Sequence, residues 1–309
     1  MRNYMIRRVG HSFFIILGLM GLLFLAINVL GDPVELLVDE DASEEAIAII
    51  RAKYGLDRPL YVRFADFYVN LATLDFETSL RHRIPARDIV FRMLPNTAML
   101  ALVAWGVGIV GVPLGMIAAR RPRGMIDRIV NILSFAVISI PEFWLGLVLI
   151  LVLAVNAGLL PTSGFNGLGP TGWVYLILPA LTLSPRVIGR NAQITRATMI
   201  EEMGKQYVST ARAKGLGENK VLYTHVLKNA AISIVTLMGD ELAGFMNGAT
   251  AVEIIFGWPG LGKLLVDAIT ARDLPVVTAS VFIIALMVMG INLLVDLIYT
   301  WLDPRVSYS

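Results

Sequence analysis

Residues 95–119 read PNTAMLALVAWGVGIVGVPLGMIAA, a run without one charged side chain. Crossing a hydrocarbon core of about 30 Å takes about 20 apolar residues in helical form, and this run is long enough. Stretches of the same character lie at roughly 11–30, 129–157, 173–190, 230–250 and 276–302. Pro179 and Pro185 interrupt the stretch at 173–190, but kinked helices persist in membranes when neighbours satisfy the freed carbonyls. The expectation is an all-α integral membrane protein with six transmembrane helices. Gly111 and Gly115 stand four residues apart, as do Gly244 and Gly248. That spacing lets helix backbones approach closely.

Composition agrees. The 309 residues are 56% hydrophobic and 16% charged, with a mean hydropathy of +0.70, whereas soluble domains carry about 25% charged residues. A net charge of +2 gives no argument for nucleic acid as a partner. The absence of Cys excludes disulfides, thiolate metal sites and Cys nucleophiles. His11, His82 and His225 are far apart in sequence, which argues against a metal site. Ser and Asp residues alone make no nucleophile–base pair. No catalytic residue and no metal ligand is expected.

Basic residues near span ends set orientation. Arg2, Arg7 and Arg8, then Arg120, Arg121, Arg123 and Arg128, then the run from Arg186 to Lys228, and finally Arg305 fall on one side of a six-span chain. Both termini are therefore expected in the cytoplasm of a multi-pass membrane protein. The first stretch follows a basic segment as a signal peptide would. It is long for one, however, and INVLGDP after it offers no A-x-A cleavage pattern. An uncleaved anchor is the better reading. Residues 1–93 divide into this anchor helix and a polar extracytoplasmic segment, 31–93. In that segment Ser43, Glu44 and Glu45 open an amphipathic helix ending near Gly55. Residues 94–303 form the core, with five further transmembrane helices and a cytoplasmic loop at 191–229.

GWPGLGK at 257–263 fits the first seven positions of a phosphate-binding loop. Leu264 stands where the Mg²⁺-ligating Ser or Thr is required, and the topology places the run away from cytoplasmic nucleotide. ATP hydrolysis is not expected of this chain. Asp240 and Glu241 lie within the fifth stretch. A charge near the bilayer centre costs roughly 2.5–3.5 kcal/mol on insertion scales, so both should face protein, water or a partner. Adjacent helical residues point about 100° apart, so one can line a cavity while the other pairs with a base. Asn292, Asp296 and Tyr299 share a face of the last helix, with Asp296 near its cytoplasmic end, where a salt bridge or hydrogen bond is expected. Glu241, Asp240 and Asn292 are the candidates for lining a translocation pathway.

The loop at 207–230, YVSTARAKGLGENKVLYTHVLKNA, is polar, basic and too long for a tight turn. Met199–Met203 should extend the preceding helix into the cytoplasm until Gly204. Lys205 to Lys214 then forms a short helix with Tyr207, Val208 and Ala211 on one face and Lys205, Arg212 and Lys214 toward water. Gly215–Leu216–Gly217 permits a reversal with positive φ, and Glu218 and Asn219 begin the next helix.

YVSTARAKGL followed by HVLKNA resembles the coupling loop of the inner-membrane permeases of binding-protein-dependent ABC importers, in the dipeptide, oligopeptide and nickel branch and its first-permease type. AVEIIFGWPGLGKLLVDAITARDLPVV at 251–277, NLLVDLIYTWLDPRV at 292–306, LPNTAMLALVAWGVGIVGVPLG at 94–115 and SIPEFWLGLVLILV at 139–152 resemble that family in the same order, as do RRVGHSFFIILG and the GDP at 31–33. The resemblance covers essentially the whole chain.

It implies a type I importer permease fold, a second homologous permease subunit, two ATP-binding subunits and an extracytoplasmic solute-binding protein. ATP and Mg would belong to the ATPase partners, with no cofactor in this chain. Thr210, Ala211 and Arg212 occupy the family's Glu-Ala-Ala element, and Gly215 matches its glycine. Tyr207 to Leu216, including Ala213 and Lys214, would dock in a groove of the ATPase. Ser233 replaces the Pro often found after this loop. Asp240–Glu241 stands where relatives usually carry neutral residues. That pair allows a cationic or other non-peptide solute beside the di- and oligopeptides implied by the resemblance. An ion-coupled secondary transporter is the competing class, and the inverted repeat expected of it is not evident.

Overall fold

The computed structural model of the chain describes residues 2–29, 43–53, 57–167, 169 and 171–302. The GDP at 31–33, Gly55 and Arg305 lie outside the described residues. Every regular element among them is helical, with a single isolated bridge between Thr78 and Pro85. In chain order the elements are α1 (Arg2–Val29), α2 (Glu44–Lys53), α3 (Leu60–Thr73), α4 (Ala86–Gly108), α5 (Gly111–Ala119), α6 (Met125–Ser139) and α7 (Glu142–Leu149). A π-helical stretch, Ile150–Asn156, continues α7. Then come α8 (Trp173–Met203), α9 (Gln206–Ala213) and α10 (Glu218–Lys220). A second π-helical stretch, Val221–Val226, leads into α11 (Leu227–Gly248), α12 (Thr250–Ile255), α13 (Leu261–Thr270) and α14 (Leu274–Leu302).

Among the described residues four helical stretches are long and apolar enough to cross a bilayer: Ile6–Asn28, Ala86–Ala119, Glu218–Met246 and Leu274–Ile298. The bent pair Met125–Ser139 and Glu142–Asn156 raises this to five. Two of the apolar runs are interrupted within their length. The run at 95–119 breaks between Gly108 and Gly111. The run at 129–157 turns through 94° at Ile140–Pro141. Pro141 lacks the N–H that would continue the ladder and disfavours helical backbone at Ile140, whose ψ is 125°. Pro179 and Pro185, by contrast, sit inside one continuous α8 of 31 residues.

Two compact units are present. The first comprises residues 94–263 and 287 onward. In it α8 is clasped between α5 and α6. A Cβ on Gly111 would collide with the Ile188 carbonyl and come within 2.7 Å of Asn191 Cβ, and one on Gly115 would collide with the Ala192 carbonyl. On the opposite flank, a Cβ at Gly189 would meet the Ser134 carbonyl at 3.0 Å. The spacing at Gly111 and Gly115 therefore brings backbones together as expected. Gly244 is different: a Cβ there meets nothing within 4 Å, so it serves no close approach to the described residues of this chain. Gly239 does, against Val295 of α14.

α8 passes through three zones. Leu176, Leu178, Leu183 and Val187 join an apolar cluster with Leu100, Phe245, Phe256 and Trp258. A polar middle follows, from Arg186 to Arg196. Met199 then enters a second apolar cluster with Ala119, Val208, Ala211 and Val226.

The second unit comprises residues 2–93 and 264–286. α3 packs on α1 through Phe24, whose ring lies 5.2 Å from Phe64 and 5.3 Å from Phe67. Tyr68 Oη donates to the Leu17 carbonyl at 2.6 Å. Buried Asp273 accepts from the Ser79 hydroxyl at 2.5 Å and from the Leu80 amide at 3.2 Å.

Candidate functional site

α8 ends at Met203 with Gly204 as its C-cap, and α9 begins two residues later. Val208 and Ala211 are buried and Tyr207 half-buried, resting on Met199, Ile200 and Met203 of α8, Ala119 of α5 and Val226 and Ala230 of the next helix. Burying a side chain of valine size contributes about 1.5–3 kcal/mol, so α9 is fastened to the ends of several helices at once. Ser209, Thr210, Arg212, Ala213, Lys214 and Gly215 are exposed. The expected division of faces is present.

The end of α9 is a Schellman turn. The Leu216 amide donates to the Ala211 carbonyl at 3.3 Å and the Gly215 amide to the Arg212 carbonyl at 2.9 Å. Gly215 has φ +78°, a left-handed conformation that costs other residues roughly 1–2 kcal/mol. Leu216 then turns back onto the cluster beneath α9.

Polar contacts tie both ends of the segment. Glu202 accepts from Lys205 Nζ at 2.5 Å and from Tyr207 Oη at 2.7 Å. Arg212 forks onto Glu218 at 2.6 and 3.1 Å, closing the turn around Gly215. Burial and the bond to Glu202 push the Tyr207 phenol up to about 12. Burial alone would raise the Glu202 carboxyl, but the bonds from Lys205 and Tyr207 outweigh it and hold the group below its ordinary value. Close by, Arg196 of α8 grips buried Asp127 of α6 through both Nε and Nη2, with the latter bond at 2.8 Å. Asp127 also accepts from the Arg123 amide and from Asn131.

Of the pathway candidates, Glu241 is buried, with Arg190 Nη1 2.5 Å away, a charge contact without hydrogen-bond geometry. Asp240 and Asn292 are exposed. Arg186 donates to Glu142, the first residue of α7, at 3.1 Å. The sequence reading flagged neither Glu142 nor the role of Arg190, because these partners are distant in sequence.

It also did not single out Glu253. Its carboxylate is fully buried, accepts from the Thr97 hydroxyl at 2.7 Å and from the Lys263 amide at 2.8 Å. Thr97 Oγ1 itself accepts from the Leu261 amide at 2.7 Å, so its proton is committed to Glu253. Asn96 donates to the Pro259 carbonyl at 2.8 Å and its own carbonyl receives Trp258 Nε1 at 3.0 Å. A Cβ on Gly260 would collide with this carboxylate. The GWPGLGK run thus packs around an internal carboxylate, with Gly260 and Gly262 leaving room for it.

Residues 111–308 match the family described as the binding-protein-dependent transport system inner membrane component. The chain belongs to this family. The match starts at the glycine that packs α5 on α8 and spans α9. The permease is also 38% identical to the oligopeptide transport system permease protein AppB of Bacillus subtilis, over the full length of both chains. A putative peptide transport system permease protein of Brucella abortus and the glutathione transport system permease protein GsiC of Pectobacterium atrosepticum are each 37% identical, again over the full length of both. Among solved structures, an amino acid ABC transporter with histidines aligns at TM-score 0.55 and 16% identity, covering 69% of this permease and 94% of that chain. The methionine ABC transporter MetNI in an inward-facing conformation aligns at 0.53 and 18%, covering 70% and 96%. At these identities the likeness concerns the fold: the permease has the all-α architecture of type I ABC importer subunits. It is a transport subunit of the inner membrane, crosses it several times, and belongs to a family without a cofactor of its own.

Proposed function

We propose that this permease forms half of the translocation pathway of an ABC importer for peptide-like solutes, and that Tyr207 to Leu216 is its coupling segment. The carrying observation is the construction of α9. One face is buried on α5, α8 and the start of α11, and the other presents Thr210, Arg212, Ala213, Lys214 and Gly215 to a partner. A short helix fastened to several helix ends passes displacement to all of them together.

In this reading two ATP-binding subunits, carrying ATP and Mg, dock against α9 of this chain and of a second homologous permease. Closure of the ATPases on ATP turns the cavity outward to receive solute from an extracytoplasmic binding protein, and hydrolysis returns it inward. α8 is the fourth of six spans, its arginines facing protein or water, and both termini are cytoplasmic. Peptide-like solutes are supported by relatives named for oligopeptide, peptide and glutathione transport along the whole chain.

Omission of components from proteoliposomes tests this. Peptide uptake is expected only when both permeases, the ATPases, the binding protein and ATP are all present. Uptake by this chain alone, driven by a proton or sodium gradient, would refute the proposal.

A further inference from the structure

Charged side chains from three helices meet beside the break between α6 and α7. Arg186 and Arg190 stand one turn apart on α8, so they share a face. Glu142, at the start of α7, accepts from Arg186 Nη1 at 3.1 Å, and Glu241 of α11 lies 2.5 Å from Arg190 Nη1. The carboxylates are the sheltered partners, with side chains 22% and 7% exposed. The guanidiniums remain open, at 48% for Arg186 and 41% for Arg190. Asp240, next to Glu241, is exposed as well.

Several features of this cluster exceed what a structural ion pair needs. Each guanidinium carries five donors in a planar fork; Arg186 gives one of them, from Nη1, to Glu142, and Arg190 sets Nη1 against Glu241. Charges at membrane depth face protein or water rather than lipid. A helix broken by 94° within an apolar run is tolerated at such depth only where it is enclosed by protein or lines a watery cavity. Secondary transporters place the charged groups of their substrates at breaks in helices, and the same physics applies to any solute pathway.

Resting on the peptide-importer reading, we propose that Arg186 and Arg190 form a carboxylate-binding pair for the C-terminus of the passing peptide. Glu142 and Glu241 act as fixed counter-ions that hold the two forks open toward the ligand. Asp240 offers the opposite charge to an ammonium group. The C-terminal carboxylate is an anion that free peptides share whatever their side chains, so a site reading it accepts many sequences. A fork pre-oriented by a counter-ion binds a carboxylate through two parallel bonds. Because the counter-ion stays in place, the site does not trap what it must release.

The test uses the complete importer in proteoliposomes, with a tripeptide and its C-terminal amide each supplied on saturated, pre-loaded binding protein. Wild type is expected to import the free acid about tenfold faster than the amide, as loss of a charge-assisted pair of bonds implies. Arg186→Gln and Arg190→Gln should each lower the acid rate and leave the amide rate unchanged, bringing the ratio toward one. The charge-swapped variant Arg190→Glu with Glu241→Arg keeps an ion pair and guards against mere misfolding; its ratio should stay low. Equal wild-type rates for acid and amide would overturn the proposal. So would recovery of the wild-type ratio in the swapped variant, or a proportional fall of both rates in the glutamine variants. Import of neither peptide by the complete, ATP-supplied system would instead refute the peptide reading on which the proposal rests.

Discussion

Gly215 combines a left-handed backbone with open surroundings: φ is +78° and a Cβ would meet nothing within 4 Å. Replacing it by alanine should cost only the conformational strain, roughly 1–2 kcal/mol, measurable as a modest loss of thermal stability in detergent. Gly111 is the opposite case. Its missing Cβ is where the Ile188 carbonyl lies, so Gly111→Leu should abolish recovery of folded, monodisperse permease. Gly244→Ala, with open space around it, should leave that recovery unchanged. Glu253→Gln puts an amide NH₂ into a pocket made of donors, the Thr97 hydroxyl and the Lys263 amide among them. The expected destabilisation is about 1–3 kcal/mol for the unsatisfied groups. The anchor of α9 has a pH window. Tyr207 is raised to about 12 from 10.0, so its contribution is complete below pH 10 and lost as alkali carries it through the higher value. Glu202 is lowered, so its contribution is complete above the ordinary glutamate value and lost as acid passes the depressed one. Proteolysis at the exposed turn after Ala213 should therefore be slowest in the neutral range and faster at both extremes.

Elements were legible in the sequence wherever a local rule determined them. Gly204 and Gly215 bound α9, although only Gly215, at φ +78°, uses glycine's backbone freedom, and the spacing of Tyr207, Val208 and Ala211 gave its buried face. The long apolar runs revealed the membrane helices, but hydropathy carries no information about a bend inside an apolar run. Pro141 held that information for the α6–α7 break, and Pro185 shows why proline alone is ambiguous: α8 runs through it unbroken. The contacts that organise the polar middle were not legible. Asp127 and Arg196 are 69 residues apart and Thr97 and Glu253 are 156 apart, so nothing local links them. The Asp127–Arg196 pair joins α6 to α8 about two turns before α8 ends. Removing one member of a buried pair costs about 3–5 kcal/mol because it strands the other charge. Asp127→Ala and Arg196→Ala should each destabilise on that scale, and a double-mutant cycle should show the pair recovering part of the loss.

At the scale of the whole chain, composition pointed to a membrane and the order of motifs indicated an importer permease, which the family match and full-length relatives show. Three zones along α8 then connect the parts. One end lies in the apolar cluster around Trp258, the middle holds the charged cluster, and the other end lies beneath α9. On the proposed coupling role, a displacement of α9 reaches the helix that carries Arg186 and Arg190. The most direct measurement is the number of peptides imported per ATP hydrolysed by the complete importer carrying Gly215→Trp, with Gly215→Ala as the control for backbone strain. The account predicts that the alanine variant keeps near-normal coupling. The tryptophan, whose Cβ meets nothing within 4 Å among the described residues, should leave the complex hydrolysing ATP with peptide import lost. Normal import per ATP in the tryptophan variant would contradict the assignment of this surface as the coupling element.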